Sequence, residues 1–318
     1  MGDNQIDSAA IASIRLRRLA ANTELESIPT FDELALAPLV AEASLWQLMR
    51  AEGWFWELNA AVGPKSQHDR WREIAQLMGS AAENVLLAAG SSVEVEILRQ
   101  AIALGSVPRE YVLAQRFFAE AGANQILGFG HRLANLVIRA LMLEATYPFG
   151  EVRPKKFGRP FPAFSDSRTH WIALGDLHYL EGLVASAPHE TMRHLFILAV
   201  ELQARPEWRA LEERRAIDFH RWRDETPLVI GTERKSLWRH DPIERTRTLH
   251  LIANTTPEPA VAASAVSDIT AVTQTAINLL EPLMRQFRTT WMSAMSDLSG
   301  GTFSWVEDGP SITPTITR

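Results

Sequence analysis

Apolar residues recur at intervals of three and four along most of the chain, which is the spacing of one face of an α-helix. No stretch combines sustained apolar–polar alternation with the tight turn that indicates a β-hairpin. The segments with helical spacing are 8–21, 38–61, 67–78, 81–89, 92–104, 108–121, 124–147, 166–185, 188–204, 207–223 and 257–296. The pattern therefore predicts an all-α protein built as a bundle of many helices.

Several predicted helix ends coincide with residues that start or stop helices. Gly90, Gly105 and Gly122 each follow an apolar segment, and glycine often follows the last helical turn because it adopts a left-handed backbone easily. Asp241 is followed by proline and, three residues on, by Glu244, which is typical of a helix N-terminus. We therefore expect helices to stop at the three glycines and a further helix to begin at Asp241.

The segment 148–165 interrupts the helical pattern. It contains four prolines and two glycines in eighteen residues, and no helix tolerates that density. The predicted organisation is an all-α, multi-helix bundle-like single domain over residues 1–298 with this one long irregular loop, which could join halves 1–147 and 166–298. Residues 299–318 are polar and carry several threonines and prolines, so we expect an extended polar tail.

The chain contains no cysteine, and this excludes several chemistries. Thiolate nucleophiles, disulfides, iron–sulfur clusters and Cys-bound zinc all require that residue. The formal net charge of −6 argues against a dedicated nucleic-acid binder, which usually carries a basic excess. No segment approaches the ~18 unbroken apolar residues of a membrane span, and the N-terminus lacks the apolar core of a signal peptide. We expect a cytoplasmic protein with no membrane partner.

Basic residues are concentrated in the irregular loop, and phenylalanines that could anchor it on an apolar surface lie between them. A basic loop that leads into a helix N-terminus is suited to hold an anion, because positive side chains and the helix dipole both attract negative charge. The alternative is a solvated surface loop that the phenylalanines pin down. The candidate substrate-binding residues here are Arg153, Lys155, Lys156, Arg159 and, at the start of the next helix, Arg168.

Two glycines, Gly128 and Gly130, lie inside a strongly apolar predicted helix and precede His131 and Arg132. Together they cost about 2 kcal/mol of helix stability relative to alanine, so either a neighbouring helix or a ligand should approach the backbone there. A buried arginine needs a partner, which could be a protein carboxylate or an anionic substrate. His131 is therefore a candidate catalytic base, and Arg132 is a candidate substrate-binding residue.

Three further candidate catalytic residues lie near one side of the predicted helix 166–185, namely His170, His178 and Glu181. His178 and Glu181 are three residues apart and hence neighbours on a helix. A carboxylate beside an imidazole can orient it as a general base, although a surface ion pair is the alternative. The irregular loop connects this helix to the one that carries His131, so we expect the loop to fold over the junction of the two helices.

Ten tryptophans are a high number for a chain of this length. Trp54 and Trp56 point to different faces of a predicted helix, so at most part of this cluster belongs to a core. One of them could line a pocket, and we keep both as candidate substrate-binding residues. Packing in the core or against a partner is the alternative.

Acid–histidine pairs one helical turn apart occur at Asp166–His170 and Glu190–His194. About one such pair is expected by chance in a chain of this composition, and no cysteine is present to complete a site. We therefore predict no metal site and interpret these pairs as helix-surface contacts.

An arginine followed five residues later by a histidine occurs at Arg215–His220 and at Arg245–His250. This Arg-x-x-x-x-His motif is used by helical ribonucleases of the HEPN class, but a motif of two residues matches often by chance. Phosphate-binding loops of the GxxxxGKS or GxGxxG type and a GxSxG nucleophile elbow are absent from the sequence.

These features favour a cofactor-independent enzyme that acts on a small anionic metabolite by acid–base and electrostatic catalysis. Elimination, cyclisation or group transfer with an anionic leaving group would suit a basic loop and histidine–carboxylate pairs. A metal-dependent helical oxidase or hydrolase is one alternative. A non-catalytic interaction protein or a nucleic-acid-directed effector is another, and a homo- or hetero-oligomer is compatible with each of them.

Overall fold

The computed structural model describes the chain in segments, and each statement below concerns these residues. They are 29–48, 68–103, 109–141, 155–156, 159–160, 171–184, 189–220, 237–240, 247–250, 259–299, 302–308 and 311–317. The candidate residues Trp54, Trp56, Arg153, Arg168 and His170 lie outside them.

The described residues form an all-α, bundle-like domain, as the hydrophobic pattern predicts. The α-helices are α1 (Ala37–Leu48), α2 (His68–Ala103), α3 (Arg109–Leu141), α4 (Glu181–Val184), α5 (Glu190–Ala204), α6 (Pro206–His220), α7 (Pro259–Ile277) and α8 (Leu280–Ser299), and a 3₁₀ helix (Leu174–Leu180) precedes α4. Apart from the single-turn α4, these α-helices pack together.

The two longest helices, α2 and α3, run through glycines that the sequence indicates as helix ends. Gly90 and Gly122 both lie inside a continuous helix, so the prediction that helices stop there is wrong. A Cβ atom at Gly122 would lie 3.3 Å from Cβ of Ser91 on α2. Glycine at this position therefore lets α2 and α3 approach closely, and burial of the long apolar faces outweighs its low helix propensity. Gly105 lies outside the described residues.

One continuous hydrophobic cluster joins residues that precede and follow the segment 148–165. At its centre, Trp46 of α1 has its ring centroid 6.1 Å from that of Phe129 on α3 and 5.2 Å from that of Phe287 on α8. The indole N–H of Trp46 donates a hydrogen bond to the carbonyl oxygen of Met284 at 3.2 Å. Beside it, Arg288 donates to both carboxylate oxygens of the buried Glu42, at 2.7 and 3.0 Å. Residues that precede the loop in the sequence and residues that follow it therefore form one core.

Three antiparallel strand pairs accompany the helices. They are β1 (Lys155–Lys156) with β2 (Arg159–Pro160), β3 (Leu237–His240) with β4 (Arg247–His250), and β5 (Thr302–Asp308) with β6 (Ser311–Thr317). The first pair gives part of the irregular loop a hairpin form, with Lys156 opposite Arg159. The third shows that much of the expected extended tail is paired with itself.

The strand β4 contradicts the helix predicted to begin at Asp241. Residues 247–250 pair with 237–240, and Trp238 lies opposite Leu249 in the register. The sequence 246–250 alternates threonine with longer side chains, and threonine favours extended backbone. Cross-strand pairing therefore outweighs the helix-start composition of Asp241 and Glu244. In the part of the chain that is described, no helix is long and apolar enough to cross a membrane.

Candidate functional site

Three polar side chains, spaced by four residues along α3, hold the segment that leads into the 3₁₀ helix. Asn135 donates to the carbonyl oxygen of Ile172 at 2.9 Å and accepts from the backbone N–H of Ile172 at 3.1 Å. One turn before it, His131 accepts a hydrogen bond from the backbone N–H of Leu174. One turn after it, the guanidinium of Arg139 lies 5.9 Å from the ring centroid of Trp171. The apolar helix α3 therefore fixes the position of residues 171–174.

The contact of His131 determines which of its ring nitrogens carries a proton. Nδ1 lies 3.3 Å from the backbone nitrogen of Leu174, which can only donate, so Nδ1 is the acceptor. In the neutral imidazole the proton then lies on Nε2. Burial lowers the pKa of His131 below its ordinary value, and the positive charges of Arg215 and Arg132 lower it further, whereas Asp176 opposes them. His131 therefore favours the neutral form with an N–H donor at Nε2.

His178 has the opposite arrangement. Its Nδ1 lies 2.7 Å from the carbonyl oxygen of Gly175, an atom that can only accept, so Nδ1 carries a proton, and in the neutral imidazole Nε2 then has the lone pair. The ring is exposed and packs against Tyr179, with the ring centroids 3.9 Å apart. Glu181, which the sequence suggests as the orienting group, is exposed at the start of α4. In the structure it is the backbone of Gly175 that orients His178.

Positive charge gathers around His131 from two helices. Arg132 is half-buried, and its Nε donates to Oγ of Ser80 at 2.7 Å. Within the described segments its terminal guanidinium nitrogens donate no hydrogen bond. Arg215, on α6, is close enough to affect the pKa of His131. The acidic group that affects the same imidazole is Asp176 in the 3₁₀ helix.

Side chains of neighbouring helices explain the two glycines that precede His131. A Cβ atom at Gly130 would overlap the indole ring of Trp208 from α6. A Cβ atom at Gly128 would overlap the side-chain amide of Asn84 from α2, which donates to the carbonyl oxygen of Gln125 at 3.1 Å. Of the two explanations that the sequence allows, the neighbouring helices supply the close approach at both positions.

A half-buried acidic group, Glu212, lies beside Trp208. Burial raises the pKa of the Glu212 carboxyl, and the Trp208 indole N–H and Arg209 lower it by smaller amounts. The indole nitrogen of Trp208 is itself buried, and among the described residues it makes no hydrogen bond of good geometry. The indole N–H of Trp208 is therefore close to the Glu212 carboxyl but does not form a well-directed hydrogen bond with it.

Sequence reasoning found His178 of the 3₁₀ helix, but it missed the residues that α6 contributes here. The charge of Arg215 at His131 is not visible in the sequence, because the two residues are far apart in the chain and only packing brings them together. The same holds for Trp208 over Gly130. The one available signal was the pair of glycines in α3, which indicates a close neighbour without identifying it.

The side chains of the candidate residues in the irregular loop are not described. Lys155, Lys156 and Arg159 lie on β1 and β2, and their backbone alone is described. The junction of α3 with the segment leading into His178, over which the loop was expected to fold, does form. Whether the loop covers it stays a prediction, as do the roles of Arg153, Arg168, His170, Trp54 and Trp56.

The acid–histidine pair that falls in a described helix is a surface contact. On α5, Nε2 of His194 lies 3.7 Å from a carboxylate oxygen of Glu190, and both side chains are more than half exposed. Nowhere in the described segments do three histidine or acidic side chains come together as metal ligands. The interpretation of Glu190–His194 as a helix-surface contact is therefore confirmed.

The Arg-x-x-x-x-His matches differ in their setting. Arg215 and His220 both lie on α6. His250 lies on the strand β4, so the second match, from Arg245, does not share the helical context of that motif. No protein family model matches this chain, and neither a curated protein nor a solved structure is detectably similar to it.

Proposed function

We propose that this protein binds a small anionic metabolite beside His131 and transforms it by acid–base and electrostatic catalysis without a cofactor. The observation that supports this most strongly is the pair of differently oriented imidazoles at the junction of α3 and the 3₁₀ helix. His131 presents an N–H donor at Nε2, and His178 presents a lone pair at Nε2. A donor and a base on adjacent elements are the two groups that proton-transfer chemistry requires.

His131 acts as a neutral hydrogen-bond donor in this proposal rather than as the base that the sequence suggested. Its Nδ1 lone pair is occupied by the N–H of Leu174, so the ring cannot take a proton there without losing that bond. A neutral imidazole with a lowered pKa can donate to an oxygen on which negative charge develops. The hydrogen bond from Leu174 keeps the ring in the required tautomer.

His178 is the proposed base. It lies four residues after Leu174, whose N–H bonds His131, in a 3₁₀ helix that rises about 2 Å per residue, so along that helix its backbone is about 8 Å from the contact with His131. In an elimination, Nε2 of His178 would take a proton from carbon, and the electron pair of that C–H bond would form the new double bond. The anionic leaving group would depart with the electron pair of its own bond.

Arginine charge would stabilise the leaving group. The terminal nitrogens of Arg132, which donate no hydrogen bond within the described segments, can bind two oxygens of a phosphate or carboxylate at once. Arg215 adds positive charge from α6. The loop residues Lys155, Lys156 and Arg159 are proposed to add to this charge, on the argument that the loop connects the two elements that form the site.

Nuclear magnetic resonance of protein labelled with ¹⁵N in histidine tests the arrangement directly. Long-range ¹H–¹⁵N spectra identify the tautomer of each ring, and we expect the Nε2–H form for His131 and the Nδ1–H form for His178. Inorganic phosphate or pyrophosphate should shift the His131 signals saturably. The variant Arg132→Gln should weaken this binding at least about tenfold, since charged hydrogen bonds contribute 1.5–3 kcal/mol.

The matched control is Arg209→Gln, which removes an exposed arginine of α6 and should leave phosphate binding unchanged. If His131 is in the Nδ1–H form, or if no anion shifts its signals, the proposed site is wrong.

If an anion does bind, turnover is measured with phosphorylated and carboxylated metabolites. His178→Ala and Arg159→Ala should each lower the rate at least about 10²-fold in a protein that remains folded.

A further inference from the structure

A cavity of about 680 Å³ lies between α2, the first part of α3 and α7. Most of its wall surface is apolar and includes Leu34 from the turn before α1, Val95 and Ile102 from α2, and Val266 from α7, although seven of the thirteen lining residues are polar or charged. Cavities of 300–1,000 Å³ with apolar walls and a few polar groups are typical of sites for small organic ligands. The volume and the composition of the walls therefore both suit a small molecule.

This cavity is separate from the site at His131. Gln115, which contributes its side chain to the cavity, precedes His131 by sixteen residues on the same continuous helix. A helix rises 1.5 Å per residue, so the two positions are about 24 Å apart along α3. An inference about the cavity therefore does not depend on the proposed function.

The charged residues in the cavity wall neutralise one another. Arg99 donates to both carboxylate oxygens of Glu96, each at 2.6 Å. This contact lowers the pKa of Glu96 in spite of its partial burial and raises the pKa of Arg99, so both stay charged as a pair. A charged ligand would find no unpaired opposite charge in this part of the wall, and entering apolar surroundings would cost it hydration.

Two polar groups in the wall have unused hydrogen-bonding capacity. Thr270 is a lining residue whose buried hydroxyl has no hydrogen-bond partner in the described part of the chain. On the same helix, Thr273 and Thr275 donate their hydroxyls to the carbonyl oxygens four residues earlier, both at 2.7 Å. The amide of Gln115 donates to the carbonyl oxygen of Val95 at 3.3 Å, and within the described ranges its own oxygen accepts nothing.

The missing bond at Thr270 is unusual, because a threonine in a helix normally satisfies its hydroxyl through that backbone contact. A buried hydroxyl without a partner costs about 1–3 kcal/mol. A ligand with a hydrogen-bonding group could remove this cost once the side chain turns to another staggered rotamer.

We propose that the cavity binds an uncharged, largely apolar molecule with a single hydrogen-bonding group, such as a hydroxyl, which Thr270 and Gln115 recognise. The aliphatic walls hold the hydrocarbon part, and the hydroxyl both donates to the oxygen of Gln115 and accepts from Thr270. This ligand class differs in charge from the anion proposed for the site at His131.

Fluorescence of N-phenyl-1-naphthylamine, an uncharged probe that brightens in apolar surroundings, tests the proposal. The full chain should bind the probe saturably with one site per chain, and 1-decanol should displace it. Decanoate and decylammonium should displace it at least tenfold less effectively, because neither finds an unpaired opposite charge. Equal competition by decanoate would overturn the uncharged class, and absence of saturable binding would overturn the site.

Two variants locate the probe. Ala271→Phe and Ser267→Phe each place a ring in the lining from an exposed position of α7, and each should reduce probe affinity at least tenfold. The matched control is Thr275→Phe, an exposed residue of the same helix that is not part of the lining, and it should bind normally. If either folded lining variant, as judged by circular dichroism, binds as well as the control, the probe is elsewhere and the proposal fails.

The variant Thr270→Val tests the polar contact. Valine keeps the shape of threonine and removes the hydroxyl, so decanol should bind about fivefold more weakly, the loss expected for one neutral hydrogen bond of about 1 kcal/mol. Unchanged decanol affinity would show that Thr270 does not recognise the ligand and would overturn that part of the proposal.

Discussion

The two ends of α3 are packed in opposite ways. Toward its C-terminus, Gly130 lies against the ring of Trp208, and Asn135 forms two hydrogen bonds with the backbone of Ile172. Toward its N-terminus, Gln115 borders a cavity of about 680 Å³. One continuous helix therefore connects a densely packed end, where Asn135 is paired with the backbone of Ile172, with an end that borders a cavity.

This difference is compatible with the two kinds of binding proposed above for the two ends of one helix. At the dense end the imidazole of His131 has one defined tautomer because a backbone N–H holds it, and catalytic geometry requires that precision. At the open end the aliphatic walls leave a ligand's position less defined, which suits recognition by shape and apolarity. Substitutions at the two ends should therefore have effects of different size and sign.

The largest effect is expected at Gly130. In Gly130→Ala the new methyl group would overlap the ring of Trp208, so the free energy of unfolding should fall by about 3 kcal/mol. Urea unfolding followed by circular dichroism measures this. The control is Gly90→Ala, where a Cβ atom would meet nothing within 4 Å, and this variant should gain up to about 1 kcal/mol. Equal stability of the two variants would show that the contact of Gly130 with the Trp208 ring does not exclude a methyl group.

A smaller loss is expected from Asn135→Leu. Leucine has a similar size but cannot bond to Ile172, so two buried backbone groups lose their partner and the free energy of unfolding should fall by about 2 kcal/mol. The exposed Asn124 of the same helix provides the control, since Asn124→Leu should change stability by less than about 0.5 kcal/mol. A thermal melt of both proteins that gives the same midpoint would contradict the role of Asn135.

At the open end we expect the opposite sign. Thr270→Val removes a buried hydroxyl that has no partner among the described residues, so the ligand-free protein should become more stable by about 1 kcal/mol. Thr273→Val is the control, because the hydroxyl of Thr273 is bonded to Ile269 and its removal should not stabilise. Loss of stability in Thr270→Val would mean that its hydroxyl is satisfied.

The smallest effect is the pH dependence that His131 contributes. The pKa of His131 is lower in the folded protein than its ordinary value of 6.5. Below about pH 6.5 the imidazole is therefore protonated more readily in the unfolded chain than in the folded protein. The contribution of the neutral His131 imidazole to the free energy of unfolding is therefore fully present above that pH and is lost as the pH falls toward the pKa in the folded protein. Urea unfolding at several pH values should show a smaller loss on acidification in His131→Gln than in the native protein. Identical pH profiles would contradict the expectation.

Hydrophobic spacing was sufficient to predict the fold class, because a repeat of three and four residues persists along most of the chain. It was insufficient for helix ends. Gly90 and Gly122 have the composition of stop signals, but local propensity amounts to about 1 kcal/mol at each glycine and tertiary burial outweighs it. Asp241 similarly resembles a helix start, and pairing between 237–240 and 247–250 prevails over it.

The candidate site was predictable only in part. The pair Gly128 and Gly130 correctly indicated a close neighbour in the helix of His131. The tautomer of His131 depends on Leu174, and its charge environment depends on Arg215, and neither follows from spacing along the chain. Contacts between residues this far apart arise from packing, which a single sequence does not encode as a visible pattern.

The amide of Asn135 has a consequence for how this protein could change over time. It forms hydrogen bonds only with the backbone N–H and the carbonyl oxygen of Ile172, and every amino acid except proline has both groups. The hydrogen bonds that hold Ile172 therefore do not depend on its side chain, whereas the buried side chains of Ile172 and Leu174 belong to the core. Substitution of the exposed Ala173 between them can alter the chemistry presented beside His131 while those hydrogen bonds and the core contacts are kept.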